Sequence, residues 1–146
     1  MRVIKNSQID RSSHLFENVK VVNSKIGAHC SVGDNSNLLD SVLHDHSALN
    51  RNCVLDMCEM GFGSYANQNT IMKHVIVGKF CCISWNVTIY GGSSHNYSAP
   101  SCYSRYHWKS IFGSTEENFT KEKNKTIIGN DVWITSVQLN FLKTNK

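Results

Sequence analysis

Aliphatic residues recur at every sixth position through much of the chain, and each is followed four positions later by a small or β-branched residue. Ile26 is followed by Cys30 in this way. After Leu38 the pattern slips by one residue and resumes at Leu43. The clearest run of aliphatic positions is Ile71, Val77, Ile83 and Ile89. Their small or β-branched companions are Val75, Cys81 and Val87.

A period of six fits neither an α-helix nor a simple strand, whose side chains repeat every 3.6 and 2 residues. It suits a chain that runs flat, turns a corner and repeats, so that three flat stretches form a triangular coil with the aliphatic side chains inside. Repeats of this length are typical of parallel β-helices. The sequence therefore predicts an all-β fold: one parallel β-helix domain over residues 1–146.

Glycine and asparagine are placed where such a coil needs corners. Glycine follows the aliphatic position at Gly27, Gly33, Gly78 and Gly129, which predicts tight turns there. Asparagine tolerates left-handed backbone angles, and it is expected at corners at Asn35, Asn37, Asn50, Asn52 and Asn86.

The repeat stops over residues 90–127, a segment too long for a simple connection in a compact domain. Half of the chain's Phe, Trp and Tyr residues lie in it, which favours an excursion loop that lines a functional site. The segment includes the small-residue run Gly91-Gly92-Ser93-Ser94, followed by His95. Such residues allow a sharp turn that would hold the His95 imidazole beside the wall of the β-helix.

The motifs at 77–89, 91–95 and 127–134 resemble the xenobiotic acetyltransferase branch of the hexapeptide-repeat acyltransferases. That branch contains CatB-type chloramphenicol and streptogramin acetyltransferases, and related proteins acetylate capsule and lipopolysaccharide sugars. The resemblance covers about residues 71–134. It implies a left-handed β-helix, acetyl-CoA as co-substrate, O-acetylation of a sugar or xenobiotic hydroxyl, and a homotrimer with each active site between two subunits.

The resemblance also implies roles for individual residues. His95 corresponds to the catalytic base, and Trp133 is expected near it as a supporting residue. Tyr97, Tyr103, Tyr106 and Trp108 are expected to shape the acceptor pocket. The chemistry is consistent with these roles, because acetyl transfer to a hydroxyl requires a group that removes the hydroxyl proton, as neutral imidazole does. The residues that bind coenzyme A and the donor for the oxyanion are left open.

Composition and charge indicate which partners the protein can bind and in which cellular compartment it acts. The chain has 146 residues and a net charge of +4 without a run of Lys or Arg, which argues against nucleic-acid binding. No segment approaches the roughly 20 apolar residues of a membrane span. Six cysteines without an export signal indicate reduced thiols and a cytoplasmic protein. Cys30, Cys53 and Cys81 fall at the small inward position and are interpreted as core residues.

Two alternatives to an active acetyltransferase remain. His44 and His46 would alternate along a strand and point outward together, as in a trimeric zinc carbonic anhydrase. No third ligand is suitably spaced, so no metal is expected. Residues 135–146 lack the glycine expected after Ile134, and Gln138 falls at an inward position. We therefore expect a truncated C-terminal end, for which an inactive β-helix remnant or a binding module is the alternative function.

Overall fold

The computed structural model describes residues 1–90 and 125–136, and in these ranges the chain forms a parallel β-helix of three six-stranded sheets. No helix within these ranges is long and apolar enough to cross a membrane. The first sheet contains β1 (Val3–Lys5), β4 (Lys20–Val22), β7 (Asn37–Leu39), β10 (Val54–Asp56), β13 (Ile71–Lys73) and β16 (Thr88–Tyr90). The second contains β2 (Gln8–Ile9), β5 (Lys25–Ile26), β8 (Val42–Leu43), β11 (Glu59–Met60), β14 (Val75–Val77) and β17 (Thr126–Ile128). The third contains β3 (His14–Leu15), β6 (Ser31–Val32), β9 (Ala48–Leu49), β12 (Tyr65–Ala66), β15 (Cys82–Ile83) and β18 (Trp133–Ile134).

One turn of the β-helix takes 17 residues, because within residues 1–90 paired parallel strands lie 17 positions apart along the chain. Val3 is in register with Lys20, and Lys20 with Asn37. Hydrogen bonds between side chains of successive coils keep the same separation of 17 residues, as between Asn18 and Asn35. The predicted parallel β-helix is confirmed, and the one-residue slip seen in the sequence recurs on every turn.

The slip arises because the three sides of the coil differ in length. From Asn18 onward, each described corner has a residue with positive φ, as at Asn18, Asn23, His29 and Asn35 in one turn. The first side of this turn, between Asn18 and Asn23, therefore advances by five residues, and the other two sides advance by six. A strict period of six describes two sides of the triangle and fails on the first.

The shorter side corrects one predicted inward position. Ile71 was expected inside the prism because Val77 lies six residues later, but its side chain is 37% exposed. Met72 is fully buried in its place, five residues before Val77. On the same side of the preceding coils the small residue after Leu38 is also one position early: Ser41, three residues later, is buried, and Val42, four residues later, is only partly buried.

In the four coils from Val21 to Ile83, the interior of the prism holds one apolar residue from each side, and most of these are large. A fully buried Leu, Ile or Met contributes about 1.5–3 kcal/mol relative to an exposed one. Stacking such residues over successive coils therefore supplies most of the stability of the fold. The largest fully buried side chains are Leu38, Leu43, Leu49, Leu55, Met60, Met72 and Ile83.

Small companions connect the coils by hydrogen bonds as well as by filling space. The Ser64 hydroxyl donates to the carbonyl of Gly78 at 2.7 Å and accepts from the amide of Cys81 at 2.8 Å. In the same way, the Ser36 hydroxyl donates to the carbonyl of Asn50 at 2.9 Å and accepts from the amide of Cys53 at 3.0 Å. Across residues 1–90 and 125–136, no buried side-chain nitrogen or oxygen lacks a hydrogen-bond partner, so the free-energy cost of burying these polar groups is small.

Asparagine forms a ladder along the corner between the third and first sheets. Asn35, Asn52 and Asn86 have positive φ, as expected. The Asn69 amide donates to the side-chain oxygen of Asn86 at 2.9 Å, one coil away. The same expectation was wrong for two asparagines. Asn37 lies in β7, and Asn50 does not have a positive φ.

Glycine is required near the corners for a different reason from the one predicted. A Cβ atom on Gly78 would lie 2.5 Å from the carbonyl oxygen of Gly129 on the next coil, closer than real Cβ contacts. The left-handed residue at this corner is Phe80, with φ of 56°. Gly78 therefore permits the close approach of two coils, and the change of direction occurs two residues later.

We expect cysteine reactivity to follow burial. Burial raises the pKa of the Cys53 and Cys58 thiols, so the thiolate is scarce as well as shielded. Cys82 is the one partly exposed cysteine among the residues described. N-ethylmaleimide should modify Cys82 in the native protein and the buried cysteines only in denaturant, as measured by peptide mass mapping. Labelling of native Cys53 as fast as that of Cys82 would contradict the placement, and Cys82→Ser is the control.

Candidate functional site

The chain leaves the β-helix and returns to it at one corner. It leaves after Tyr90, at the end of β16, and re-enters at Thr126 in β17. The Thr126 amide donates to the carbonyl of His74 at 3.0 Å, and its hydroxyl to the carbonyl of Tyr90 at 3.2 Å. Because both ends belong to strands, the interruption in the coil is shorter than the predicted 90–127. The segment with His95 therefore begins and ends at the corner between the first and second sheets.

The coil after this segment continues the β-helix without a change of register. Ile127 pairs with Ile76 in the second sheet. At the next corner the side-chain oxygen of Asn130 accepts from the amide of Lys79 at 2.8 Å, and the Asp131 amide donates to the carbonyl of Lys79 at 2.8 Å. Asp131 has the positive φ that this corner requires. Most of the motif at 127–134 thus has a structural role in forming one more coil.

Trp133 is the aromatic residue of this motif, and with Ile127 it is one of the two large apolar residues that the coil leaves on the surface. It lies in β18 with its side chain on the outer face of the third sheet and is 76% exposed. Its register partner on the preceding coil is Cys82, which in turn is in register with Tyr65. A hydrogen bond with the Cys82 thiol raises the pKa of Tyr65, so its hydroxyl is neutral at physiological pH. The indole of Trp133 is therefore placed to contact a bound molecule or another segment.

The other predicted site residues lie outside the described residues. These are His95, Tyr97, Tyr103, Tyr106 and Trp108. Their roles as base and acceptor pocket stay predictions, and Gln138 at the C-terminal end falls outside as well. The structure places Trp133 and the two attachment points of the His95 segment, Tyr90 and Thr126.

The predicted arrangement of His44 and His46 is wrong. His44 follows β8 and contacts the Glu59 carboxylate at 2.7 Å. His46 lies at the next corner with φ of 60° and stacks on His29, with ring centroids 5.0 Å apart. The chain turns between the two histidines, so they do not share a strand face. Within residues 1–90 and 125–136, no group of three His, Cys, Asp or Glu residues could hold a metal ion.

Exposed aromatic residues gather on the third sheet and its two corners. In the described ranges every Phe, Trp and Tyr side chain is exposed, and Tyr90 on the first sheet is the exception to this grouping. The members of the aromatic face are Phe16, Phe62, Tyr65, Phe80, Trp85 and Trp133. The six-residue pattern does not reveal this face, because that pattern describes only the inward positions. A search for aromatic residues at multiples of 17 would have related Trp133, after removal of the inserted segment, to Tyr65.

Comparisons with known proteins give little more than the general type of fold. No protein-family model matches the chain, and no curated protein matches it. Among solved structures, one of perosamine N-acetyltransferase from Caulobacter crescentus with coenzyme A and GDP-perosamine is 17% identical, with a TM-score of 0.30, over 61% of this chain and 53% of that chain. A second structure of that enzyme, a different variant, is 18% identical, with a TM-score of 0.27, over 61% and 54%. The chain thus spans about half the length of these structures. At such scores the fold assignment depends on the strand pairing described above.

Proposed function

We propose that this protein is an acetyl-CoA-dependent O-acetyltransferase whose acceptor is a hydroxyl of a sugar, of the capsule or lipopolysaccharide type, or of a xenobiotic. The observation that carries the proposal is the position of Trp133. It stands 76% exposed on the coil that follows the His95 segment, while Ile128, Val132 and Ile134 of the same motif pack against the core. A motif that resembles those acetyltransferases therefore keeps its one large aromatic side chain free for a site.

The proposed reaction moves an acetyl group from sulfur to oxygen. The imidazole of His95 takes the proton of the acceptor hydroxyl as the hydroxyl oxygen attacks the thioester carbonyl. The tetrahedral intermediate collapses with cleavage of the carbon–sulfur bond, and the protonated imidazole returns its proton to the departing thiolate. The products are the acetyl ester and coenzyme A. Trp133 acts as a positioning residue that fixes His95, and no metal takes part.

The acceptor would be held by aromatic rings. Tyr97, Tyr103, Tyr106 and Trp108 offer flat apolar faces with polar edges, which suit the alternating apolar and hydroxyl surfaces of a sugar ring. We further propose a homotrimer that acts in the cytoplasm, with each site between two subunits. Light scattering on the purified protein tests the assembly, since a trimer has three times the mass of one chain.

The direct test is acetyl transfer to a panel of acceptors. The protein is incubated with acetyl-CoA labelled in the acetyl group, together with neutral sugars, amino sugars and chloramphenicol, and the products are analysed by mass spectrometry. Transfer to a hydroxyl, dependent on both substrates, supports the proposal. Transfer to amino groups alone would correct O-acetylation to N-acetylation.

Calorimetric titration with coenzyme A separates the enzyme from an inactive remnant. Binding with micromolar affinity, together with acetyl transfer, supports the enzyme. A folded protein that neither binds coenzyme A nor consumes acetyl-CoA would refute the proposal and favour the binding module. Metal analysis of the same sample addresses the zinc enzyme, for which a stoichiometric metal ion is the required result.

A further inference from the structure

A groove of about 300 Å³ lies on the outer face of the third sheet, towards the N-terminal coils. Ser31 on β6 and Ala48 on β9 form part of its lining, and Phe16 and Tyr65 flank them. Its volume is at the lower end of the range for small-molecule sites, which is enough for about one sugar ring. The remaining lining residues are Gly33, Asp34, Leu49, Asn50, Arg51, Ala66 and Asn67.

The groove exists because small side chains occupy two successive coils between larger rings. Ser31 is in register with Ala48, and Ala48 with Tyr65. Adjacent strands are about 4.8 Å apart, so the small residues leave a depression roughly two coils wide. Phe16 and Tyr65 are 44% and 41% exposed, which leaves much of each ring available at the sides of the depression.

The third sheet also differs from the other two in charge. Its outward strand positions, in the part of the chain that the structure describes, carry no Asp, Glu, Lys or Arg. The other sheets carry charged strand residues, such as Lys20 on the first and Glu59 on the second. The charges at the rim of the groove belong to Arg51 and Asp34, which pair at 3.5 Å and offset one another. The groove therefore carries little net charge, which suits a neutral ligand.

We infer that this groove binds one ring of a neutral oligosaccharide and that it is an extended acceptor subsite. The inference rests on the proposed function and names the acceptor as a chain of sugars. Aromatic faces at Phe16 and Tyr65 cover the C–H face of a sugar ring. At the rim, Asn50 Oδ1 accepts from the Arg51 amide and Asn67 Nδ2 donates to the carbonyl of Ile83, so the bonds to the sugar hydroxyls use Asn50 Nδ2 and Asn67 Oδ1.

The position of the groove connects it to the proposed reaction. Tyr65, Cys82 and Trp133 are successive register partners on the third sheet. Trp133 thus lies two strand spacings, or roughly 10 Å, beyond Tyr65 along the axis of the β-helix. An oligosaccharide that follows this face reaches from the groove to the end of the β-helix where Trp133 supports the transfer. A single sugar cannot occupy both places.

Binding is tested without acetyl-CoA, on an array of neutral oligosaccharides of one to eight sugars. We expect the wild-type protein to retain the longer members and not the monosaccharides. Tyr65→Ala should weaken binding about tenfold, which corresponds to about 1.4 kcal/mol. Tyr65→Phe keeps the ring and should bind nearly as the wild type does. Tyr90→Ala is the matched control, because Tyr90 is also exposed, at 62%, but lies on the first sheet.

Three results would overturn the inference: no retention of any neutral oligosaccharide by the wild type, equal losses in Tyr65→Ala and Tyr90→Ala, or a change in particle mass caused by Tyr65→Ala. The last would show that the face contacts a second copy of the chain. Failure of the proposed function is distinguishable, because a protein that binds long oligosaccharides through Tyr65 but transfers no acetyl group retains the groove and loses the reaction. Acetyl transfer that does not depend on Tyr65 or on the length of the oligosaccharide would support the proposed function and refute the groove as an acceptor subsite.

Discussion

Met72→Asp is expected to unfold the protein, whereas Ile71→Asp leaves it folded. Met72 is fully buried, and Ile71, its neighbour in β13, is 37% exposed. The buried substitution removes packing worth about 2–5 kcal/mol and places a carboxylate where no water reaches it. Its total cost exceeds about 4 kcal/mol, against a typical domain stability of about 5–15 kcal/mol. At Ile71 the loss of β-propensity costs about 1 kcal/mol or less.

Urea unfolding followed by circular dichroism measures this difference. The Ile71→Asp protein should keep a cooperative transition near that of the wild type, and Met72→Asp should show little or no folded baseline. Comparison of the two variants distinguishes a coil of 17 residues from a strict six-residue period, because a strict period places the Ile71 side chain inside the prism. Equal damage from the two substitutions, or greater damage at Ile71, would show that the first side of the coil has been assigned the wrong register.

Most of the fold could be predicted from the sequence because the interior of a β-helix repeats. Ile26, Leu38 and Leu43 were all expected inside and are at most 2% exposed. The error at Ile71 has a physical cause. Ile71 lies six residues before Val77, and Met72 lies six residues after Ala66, so both fit the period. Hydrophobicity alone does not tell which of the two faces inward. The number of residues on that side of the coil determines which one faces inward. That number becomes visible only when the corner residues are aligned at intervals of 17.

The site was harder to predict because its parts are not periodic. His95 and the tyrosines near it were identified by resemblance and by the break in the repeat, and neither gives a distance. The groove was missed for another reason. Phe16 and Tyr65 lie three coils apart along the chain, and the space between them depends on the small side chains of Ser31 and Ala48. Only the stacking of coils makes such distant outward positions neighbours.

His95→Ala is expected to lower kcat/KM for acetyl transfer about 10²–10⁴-fold, the usual contribution of a positioned base. This corresponds to about 2.7–5.5 kcal/mol of barrier. The loss should fall on kcat, with little change in the affinity for coenzyme A, because the proton transfer stabilises only the transition state. His95→Gln should be as slow as His95→Ala, since an amide can donate a hydrogen bond but cannot take up the proton.

The control for a general effect of removing an imidazole is His44→Ala. His44 is a surface residue that contacts Glu59 on the second sheet, and its loss should leave turnover unchanged. The pH profile provides a readout that a structural role would not move. A base must be unprotonated to act, so wild-type activity should fall as acid protonates the imidazole, and the residual activity of His95→Ala should lack that decline. Turnover of His95→Ala near the wild-type rate, with the decline intact, would assign the base to another residue and leave the His95 segment with a role in binding alone.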